Sequence, residues 1–280
     1  MRYAEIGLKS QSVRRRFESL LVDNILNALA AAGLEGLVLR EHGRIFVETA
    51  DLERAAKALS RVFGIASISL AERCSSDMEE MKSVIASFSQ PFLHQGQSFA
   101  VRARRTGDHP FTSMDMAREL GSAIYLANQW KEVGVNLDSP DVEFFVEARD
   151  NKAYIFTSYI PGPGGLPLGS QGKVLAVIAG ERDALAAWLL MKRGCKVVAM
   201  GEENDPGINL LRKWDSGMKI MTNDDIEEAA KRHRAMAIVF GYTLNEFEKI
   251  KSVDARVPAF FPLVGMDEKE IEKRLERIKA

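Results

Sequence analysis

The 280-residue sequence is poor in cysteine and histidine. It has two cysteines, Cys74 and Cys195, and four histidines. Two cysteines cannot form a disulfide framework, and these two do not form the Cys-x-x-Cys pair of a zinc ribbon. The histidines are scattered without metal-ligand spacing, so we expect no metal site. Cys195 begins an apolar segment, which favours a packing role over a nucleophilic one.

The sequence also lacks long apolar runs and an excess of charge of either sign. No apolar run approaches the roughly 20 residues that a membrane-spanning helix needs, and the first residues lack the features of a signal peptide. With 38 basic and 39 acidic residues, the formal net charge is −1. We therefore expect a soluble, cytoplasmic protein with no membrane contact. Any nucleic-acid binding must come from local clusters of cations.

A proline- and glycine-rich segment divides the chain. Residues 161–167 read Pro-Gly-Pro-Gly-Gly-Leu-Pro, which predicts a domain boundary with a fixed, partly extended path. Before it, alternating short helices and strands predict α+β units, and after it a βαβ series predicts a doubly wound parallel α/β layer. Helices are predicted over residues 10–32, 52–63, 76–88, 113–130, 183–192, 224–233 and 267–279, and strands over residues 36–40, 44–48, 65–70, 98–104, 142–148, 153–158, 173–179, 195–200 and 235–240.

The turn after the strand at residues 173–179 is where an α/β layer of this kind would bind a phosphate. It contains one glycine, Gly180, followed at once by Glu181. A carboxylate 4 Å from an anion repels it by about 4 kcal/mol at an effective dielectric constant near 20. Arg182 is expected either to neutralise part of the Glu181 charge or to occupy the vacant anion site by pairing with Glu181. These residues alone favour an ordinary strand-to-helix turn over a phosphate site.

The first of two basic clusters opens the first predicted helix. This helix cluster consists of Lys9, Arg14, Arg15 and Arg16. Three consecutive arginines fan around most of a helix surface, so some of them must face solvent. Phosphate binding and ordinary solvated surface charge are equally good interpretations of the helix cluster.

The second basic cluster lies at the end of a predicted strand. This strand cluster consists of Arg102, Arg104 and Arg105, and strand alternation places Arg102 and Arg104 on one face. The following turn leads to Thr112 and Ser113 at a helix N-terminus, which can bind an anion, with Ser113 as the predicted N-cap. We predict that the strand cluster, with Thr112 and Ser113, binds phosphate more strongly than the helix cluster.

A series of segments, in one order along nearly the whole chain, is similar to one enzyme family. The segments are residues 2–10 and 15–17, then 102–105, 109–121 and 135–142, then 160–169, 191–195 and 262–271. They resemble the ferredoxin-like, THUMP and pyrophosphatase-type regions of tRNA 4-thiouridine synthetases. The resemblance implies a ferredoxin-like domain at residues 1–70, a THUMP domain at 71–165, and at 170–280 a doubly wound α/β domain of the PP-loop, adenine nucleotide hydrolase type.

In that family the first two regions hold the acceptor end of tRNA, and the last binds ATP and adenylates a uridine before sulfur arrives from a cysteine persulfide. The family's ATP loop reads Ser-Gly-Gly-x-Asp-Ser where this chain has Ala179-Gly-Glu-Arg-Asp-Ala184. A later segment, Thr-Gly-Glu-Ser-Leu-Gly-Gln, corresponds to Phe240–Glu246, with Asn245 and Glu246 replacing Gly-Gln. The resemblance places any remaining nucleotide contacts at Ile178, Ala179, Gly180, Asp183, Lys219 and Gly241.

The resemblance and its departures lead to one favoured function and two alternatives. We expect a protein that binds tRNA or another structured RNA through the residues before the proline-glycine segment, with a degenerate ATP loop, no cofactor and no catalytic residues. The first alternative is an active ATP-dependent tRNA sulfurtransferase with an altered loop and ATP as its cofactor. The second is an interaction protein whose α/β domain docks a catalytic partner. A homodimer also stays open.

Overall fold

The structure is a computed structural model that describes residues 1–3, 5–8, 10–41, 43–222 and 225–279. Its helices are α1 (Gln11–Ala31), α2 (Leu52–Leu59), α3 (Met78–Ser89), α4 (Ser113–Asn128), α5 (Glu181–Lys192), α6 (Pro206–Arg212), α7 (Ile226–His233), α8 (Phe247–Ser252) and α9 (Glu268–Lys279). Its strands are β1 (Arg2–Tyr3), β2 (Leu37–Glu41), β3 (Arg44–Glu48), β4 (Ile65–Ile68), β5 (Glu72–Ser75), β6 (Ser98–Thr106), β7 (Gly134–Val135), β8 (Val142–Arg149), β9 (Lys152–Phe156), β10 (Ile160–Pro161), β11 (Lys173–Val177), β12 (Lys196–Met200), β13 (Lys219–Met221), β14 (Ile238–Val239) and β15 (Ala259–Phe260).

The chain folds into two compact units, Met1–Ile68 with Pro161–Ala280, and Ser69–Ile160. The first and last parts of the sequence therefore pack together. No helix within the described residues has both the length and the apolar character needed to cross a membrane.

The N-terminal part of the first unit is built on α1, whose buried stripe recurs at helical spacing, as the sequence predicts. The stripe consists of Phe17, Leu21, Ile25 and Leu29. A left-handed glycine follows the helix, since Gly33 has φ +67°. Strands β2 and β3 form an antiparallel hairpin, while β4 lies between β1 and β10 in a small sheet.

The C-terminal part of the first unit is a parallel sheet in the order β13-β12-β11-β14-β15. Alternate residues of β11 face opposite sides. Val174 and Ala176 pack in the core with α5, α6 and α9, whereas Leu175 packs in the core with α7. Helices thus cover both faces, and the predicted doubly wound layer is confirmed. The expected helix over 224–233 begins at Ile226, and Asp224 lies outside the described residues.

The proline-glycine segment is bonded into the first unit. The backbone of Gly162 and Gly164 donates to Ala66 and Ile65 near β4, and Leu166 donates to the carbonyl of Lys192 at the end of α5. A Cβ on Gly165 would overlap that same carbonyl oxygen. Backbone hydrogen bonds therefore hold the segment against β4 and the end of α5.

The second unit is a five-stranded sheet in the order β5-β9-β8-β6-β7. Helices α3 and α4 pack in one core with apolar residues of the sheet. The buried helix residues are Met81 and Ile85 on α3 and Met116, Leu120 and Ile124 on α4. Strand β6 runs parallel to β8 through Thr106, whereas β7 pairs only with Ser98 and Phe99 at its start. The strand cluster therefore lies where β6 pairs with β8 alone among the described strands.

Candidate functional site

The loop at residues 178–180 joins the carboxyl end of β11 to α5, and a carboxylate closes it. Asp183 accepts hydrogen bonds from the backbone N–H groups of Ala179 at 3.0 Å and Gly241 at 3.1 Å. Burial raises the pKa of Asp183, and these amides only partly oppose that increase. Asp183 therefore links the loops that follow the neighbouring strands β11 and β14, and two amides that could face an anion are already used.

Two ion pairs surround this loop. Glu181 Oε2 lies 2.6 Å from Lys279 Nζ, and Arg182 Nη2 lies 2.8 Å from Glu246 Oε1. The expectation that Arg182 pairs with Glu181 is wrong, because Glu246, held by the loop after β14, lies within its reach. Glu246 also accepts from the Thr243 backbone at 3.1 Å. Burial opposes ionisation, but the bonds from Thr243 and Arg182 bring the pKa of Glu246 below its ordinary value.

The charges around the loop balance. The contacts of the described residues join three carboxylates, on Glu181, Asp183 and Glu246, with three cations, on Arg182, Lys249 and Lys279. Within these contacts, the number of carboxylates equals the number of cations.

Packing around the loop is tight. A Cβ on Gly241 would overlap the Asp183 carboxylate, and a Cβ on Gly207 of α6 would overlap the carbonyl oxygen of Gly180. Gly180 itself has φ +147°, with open space where a Cβ would lie. Ala184 is fully buried in the core and presents no surface to a ligand, whereas Ala179 is exposed.

The structure brings together some of the proposed nucleotide residues but not all. Ala179, Asp183 and Gly241 are joined by the hydrogen bonds of Asp183. Ile178 is buried in the core, and its N–H donates to the Met200 carbonyl at 2.8 Å. Lys219 is the first residue of the edge strand β13 and pairs with Val198 of β12. It lies two residues before Met221, the carboxyl end of β13. It lies on a different strand from the loop.

Both cysteines are buried thiols. Burial, with help from Glu80 and Glu72, raises the pKa of Cys74 to about 11. Burial also raises the pKa of Cys195, although Arg193 opposes the increase. High pKa values disfavour the thiolate that nucleophilic or persulfide chemistry needs. Among the residues described, no group of three or more His, Cys, Asp or Glu is arranged to hold a metal ion.

The helix cluster is largely held by the protein itself. Arg14 bonds Glu18 at 2.9 Å and the Tyr3 hydroxyl at 3.0 Å, and Tyr3 in turn donates to Glu18. Arg16 donates to the Ser170 carbonyl at 3.2 Å. Arg15 is exposed. Lys9 lies outside the described residues.

The strand cluster is partly open to solvent. Arg102 is held by the Glu143 carboxylate at 2.7 Å and the Leu137 carbonyl at 2.8 Å. Arg104 is exposed, and Arg105 is exposed with one 3.3 Å bond to the Gly107 carbonyl. Arg104 and Arg105 are therefore the members best placed to meet an external anion.

The N-terminus of α4 caps itself. Thr112 is the N-cap, and its hydroxyl accepts from the Asp115 backbone while the Asp115 carboxylate accepts from the Thr112 backbone. The predicted N-cap, Ser113, is instead the first helical residue. The Thr112 hydrogen bonds lower the pKa of Asp115, so a carboxylate occupies the first turn near neutral pH. The negative charge of Asp115 makes the N-terminus of α4 a less favourable binding site for an anion.

The sequence did not predict the ion-pair partners of Glu181 and Arg182. Lys279 lies 98 residues from Glu181, and Glu246 lies 64 residues from Arg182. No local spacing signals such pairs. The capping box was detectable, because Thr112 is followed three residues later by Asp115.

Comparisons with known proteins give the family. The family model described as the ThiI ferredoxin-like domain matches residues 1–69, and the THUMP domain model matches residues 75–158. Probable tRNA sulfurtransferases from Methanosarcina acetivorans and Methanothermobacter thermautotrophicus are each 33% identical over 99% of this chain, covering 80% and 83% of the relatives. The alignment with the former runs over 330 positions, so that relative contains residues that this 280-residue chain lacks.

Two solved structures are similar to this chain over nearly its whole length. PH1313 from Pyrococcus horikoshii Ot3 matches with a TM-score of 0.85 and 30% identity, over 100% of this chain and 98% of that one. A 4-thiouridine synthetase, solved as an RNA complex with bound ATP, matches with a TM-score of 0.77 and 25% identity, over 99% and 83% of the two chains. The chain belongs to the tRNA sulfurtransferase family. The resemblance to 4-thiouridine synthetases is confirmed, as is the fold class of ferredoxin-like, THUMP and parallel α/β parts.

Proposed function

We propose that this protein binds tRNA or another structured RNA and does not carry out the ATP-dependent adenylation of its family. Membership of the tRNA sulfurtransferase family and the THUMP match support RNA binding. In this proposal residues 1–70 and 71–165 are the RNA-binding modules, and residues 170–280 are a PP-loop-like module that has lost nucleotide chemistry. Arg104 and Arg105 supply the most accessible phosphate contacts of the two arginine clusters.

The loss of ATP chemistry rests on one observation, the pairing of charges around the loop at residues 178–180. Asp183 and Gly241 match the family pattern, so their contact belongs to the fold and does not by itself argue for loss. Two of the departures, Glu181 and Glu246, are acidic, and each forms an ion pair, with Lys279 and Arg182 respectively. A polyphosphate that drew these cations to itself would leave the two carboxylates uncompensated beside it.

An active ATP-dependent tRNA sulfurtransferase is the second candidate. The 33% identity to probable tRNA sulfurtransferases over 99% of the chain favours it, as does the likeness to a synthetase crystallised with ATP. In this candidate, Glu181 and Arg182 release their partners when nucleotide and RNA bind together. Turnover of ATP in the presence of tRNA separates the two candidates.

The experiment uses the full chain, because its first and last parts form one compact unit. Fluorescence anisotropy measures the affinity for a labelled tRNA across a salt series, and calorimetry measures the affinity for Mg-ATP with and without tRNA. The proposal expects salt-dependent tRNA binding and no tight ATP binding in either condition. Absence of tRNA binding overturns the RNA function. Tight ATP binding, or ATP binding that appears with tRNA, favours the second candidate.

A further inference from the structure

A basic cleft lies within the first compact unit, apart from both arginine clusters. Its volume is 510 Å³, and it lies between α1 and α2 on one side and the end of α6 and start of β12 on the other. Six cations and one carboxylate, that of Asp215, line it. The cations are Arg54, Lys57, Arg61, Lys196, Arg212 and Lys213.

Three of these cations form no salt bridge within the part of the chain that the structure describes. Lys57, Lys196 and Lys213 are exposed and make no salt bridge with any residue that the structure describes. The cleft's only lining carboxylate among the described residues, Asp215, is half-buried, and burial raises its pKa although the Gly217 amide and Lys196 oppose the increase. The cleft therefore has a clear excess of positive charge.

The arrangement suits a chain of phosphates better than one small anion. The lysines lie at the exposed rim and come from three different elements, α2, β12 and the turn after α6, rather than converging as buried donors on one point. Exposed cations spread along a cleft match the backbone of a nucleic acid, in which each phosphate is met by a separate contact. The exposed amide of Asn27 on α1 adds a neutral donor and acceptor at the same rim.

We propose that this basic cleft binds the phosphate backbone of RNA and forms a second RNA contact surface of the protein. The inference rests on the proposed RNA-binding function and extends it to residues on both sides of the proline-glycine segment. RNA affinity then depends on Lys196 and Lys213 as well as on residues before position 165.

The test compares three full-length triple variants with the unaltered protein. The first, Lys57→Ala/Lys196→Ala/Lys213→Ala, removes the three exposed lysines of the cleft. The second changes the same lysines to arginine and keeps the charge. The third is a control that removes the same number of exposed lysines elsewhere, through Lys231→Ala/Lys251→Ala/Lys269→Ala. Anisotropy with a labelled tRNA gives affinity and its salt dependence, and circular dichroism melting verifies folding.

The alanine variant of the cleft should bind tRNA at least tenfold more weakly near 0.1 M salt, and the slope of log K against log salt should fall by roughly 2 to 3. The arginine variant should stay within about twofold of the unaltered protein and the control within about threefold. Equal losses in the cleft and control variants, or no loss in the cleft variant, would overturn the inference. Loss in an Arg104→Ala/Arg105→Ala variant without loss in the cleft variant would overturn it and leave the proposed function intact. Failure of the unaltered protein to bind tRNA would instead overturn the proposed function.

A small-ligand arm separates RNA from free phosphate compounds. Inorganic phosphate and AMP, at millimolar concentration, are titrated against the tRNA complex and compared with chloride at matched ionic strength. The inference expects all three to compete equally, through screening alone. Saturable competition by phosphate or AMP that is lost in the alanine variant would show a small-anion site and contradict the assignment to RNA backbone.

Discussion

Two substitutions at and beside the loop at residues 178–180 should increase the affinity of the protein for ATP. The double substitution Ala179→Ser/Glu181→Gly supplies one hydroxyl donor at an exposed position and removes the carboxylate that begins α5. The third family departure, Ala184, is left unchanged because it is fully buried in the core. A serine at position 184 would bury a hydroxyl at a cost of roughly 1–3 kcal/mol without facing a ligand.

The size of the gain follows from the contacts. A new charge-assisted hydrogen bond to phosphate contributes about 1.5–3 kcal/mol. Removal of Glu181 adds about 1 kcal/mol, since pairing with Lys279 and solvent screening already offset most of its repulsion. The sum is about 3 kcal/mol, or roughly a hundredfold in Kd. Glycine at the start of α5 should lower the free energy of unfolding by about 1 kcal/mol.

Calorimetry with Mg-ATP measures the affinity, and urea unfolding measures the stability. The matched control is Glu268→Gly, which makes the same change at the first residue of α9. It should lose a similar amount of stability and gain no ATP affinity. The reasoning is refuted if the double variant is folded and binds ATP no better than the unaltered protein, or if the unaltered protein already binds ATP tightly.

Smaller changes test other parts of the account. Arg104→Ala/Arg105→Ala should weaken tRNA binding about tenfold, more than alanines throughout the helix cluster, and anisotropy at one salt concentration ranks the two; equal losses would remove the distinction. At pH 8 a thiol reagent should modify native Cys74 more than a hundredfold more slowly than an unfolded thiol, because a pKa of about 11 leaves about one thiolate in a thousand; rapid labelling of the native protein would contradict this. Gly165→Ala should lower the free energy of unfolding by about 3 kcal/mol or more, whereas Gly164→Ala, also at positive φ but with open space for a Cβ, should cost only about 1–2 kcal/mol; equal losses in urea unfolding would refute the packing argument.

Long, periodic elements of this fold are predictable from sequence because their burial repeats. The stripe of Phe17, Leu21, Ile25 and Leu29 predicts α1 to within a residue at each end. Short elements give no such signal. Strand β13 has three residues, and β1 and β15 have two each, so sheet pairing rather than local pattern defines them. The apolar run at 235–240 predicts a six-residue strand, but β14 has only two residues. Ala235 and Phe240 are buried in the core without belonging to the strand.

The candidate site is less predictable because its contacts are distant in sequence. The family resemblance locates the loop at residues 178–180 and its departures, but only the fold shows that Glu181 and Arg182 take different partners. The basic cleft combines Lys57 on α2 with Lys213 after α6. The two lysines are far apart in the sequence, and neither lies in a long stretch of basic residues. The sequence therefore does not indicate that they are close in space.

ATP–pyrophosphate exchange by the 280-residue protein in the presence of total tRNA shows whether the protein adenylates RNA. Adenylation of tRNA releases pyrophosphate, so an active enzyme would return labelled pyrophosphate to ATP. We predict no tRNA-dependent exchange from a preparation that binds tRNA in the anisotropy assay. Exchange that requires tRNA, grows with protein concentration and is abolished by Asp183→Ala would contradict it and establish the active-enzyme alternative.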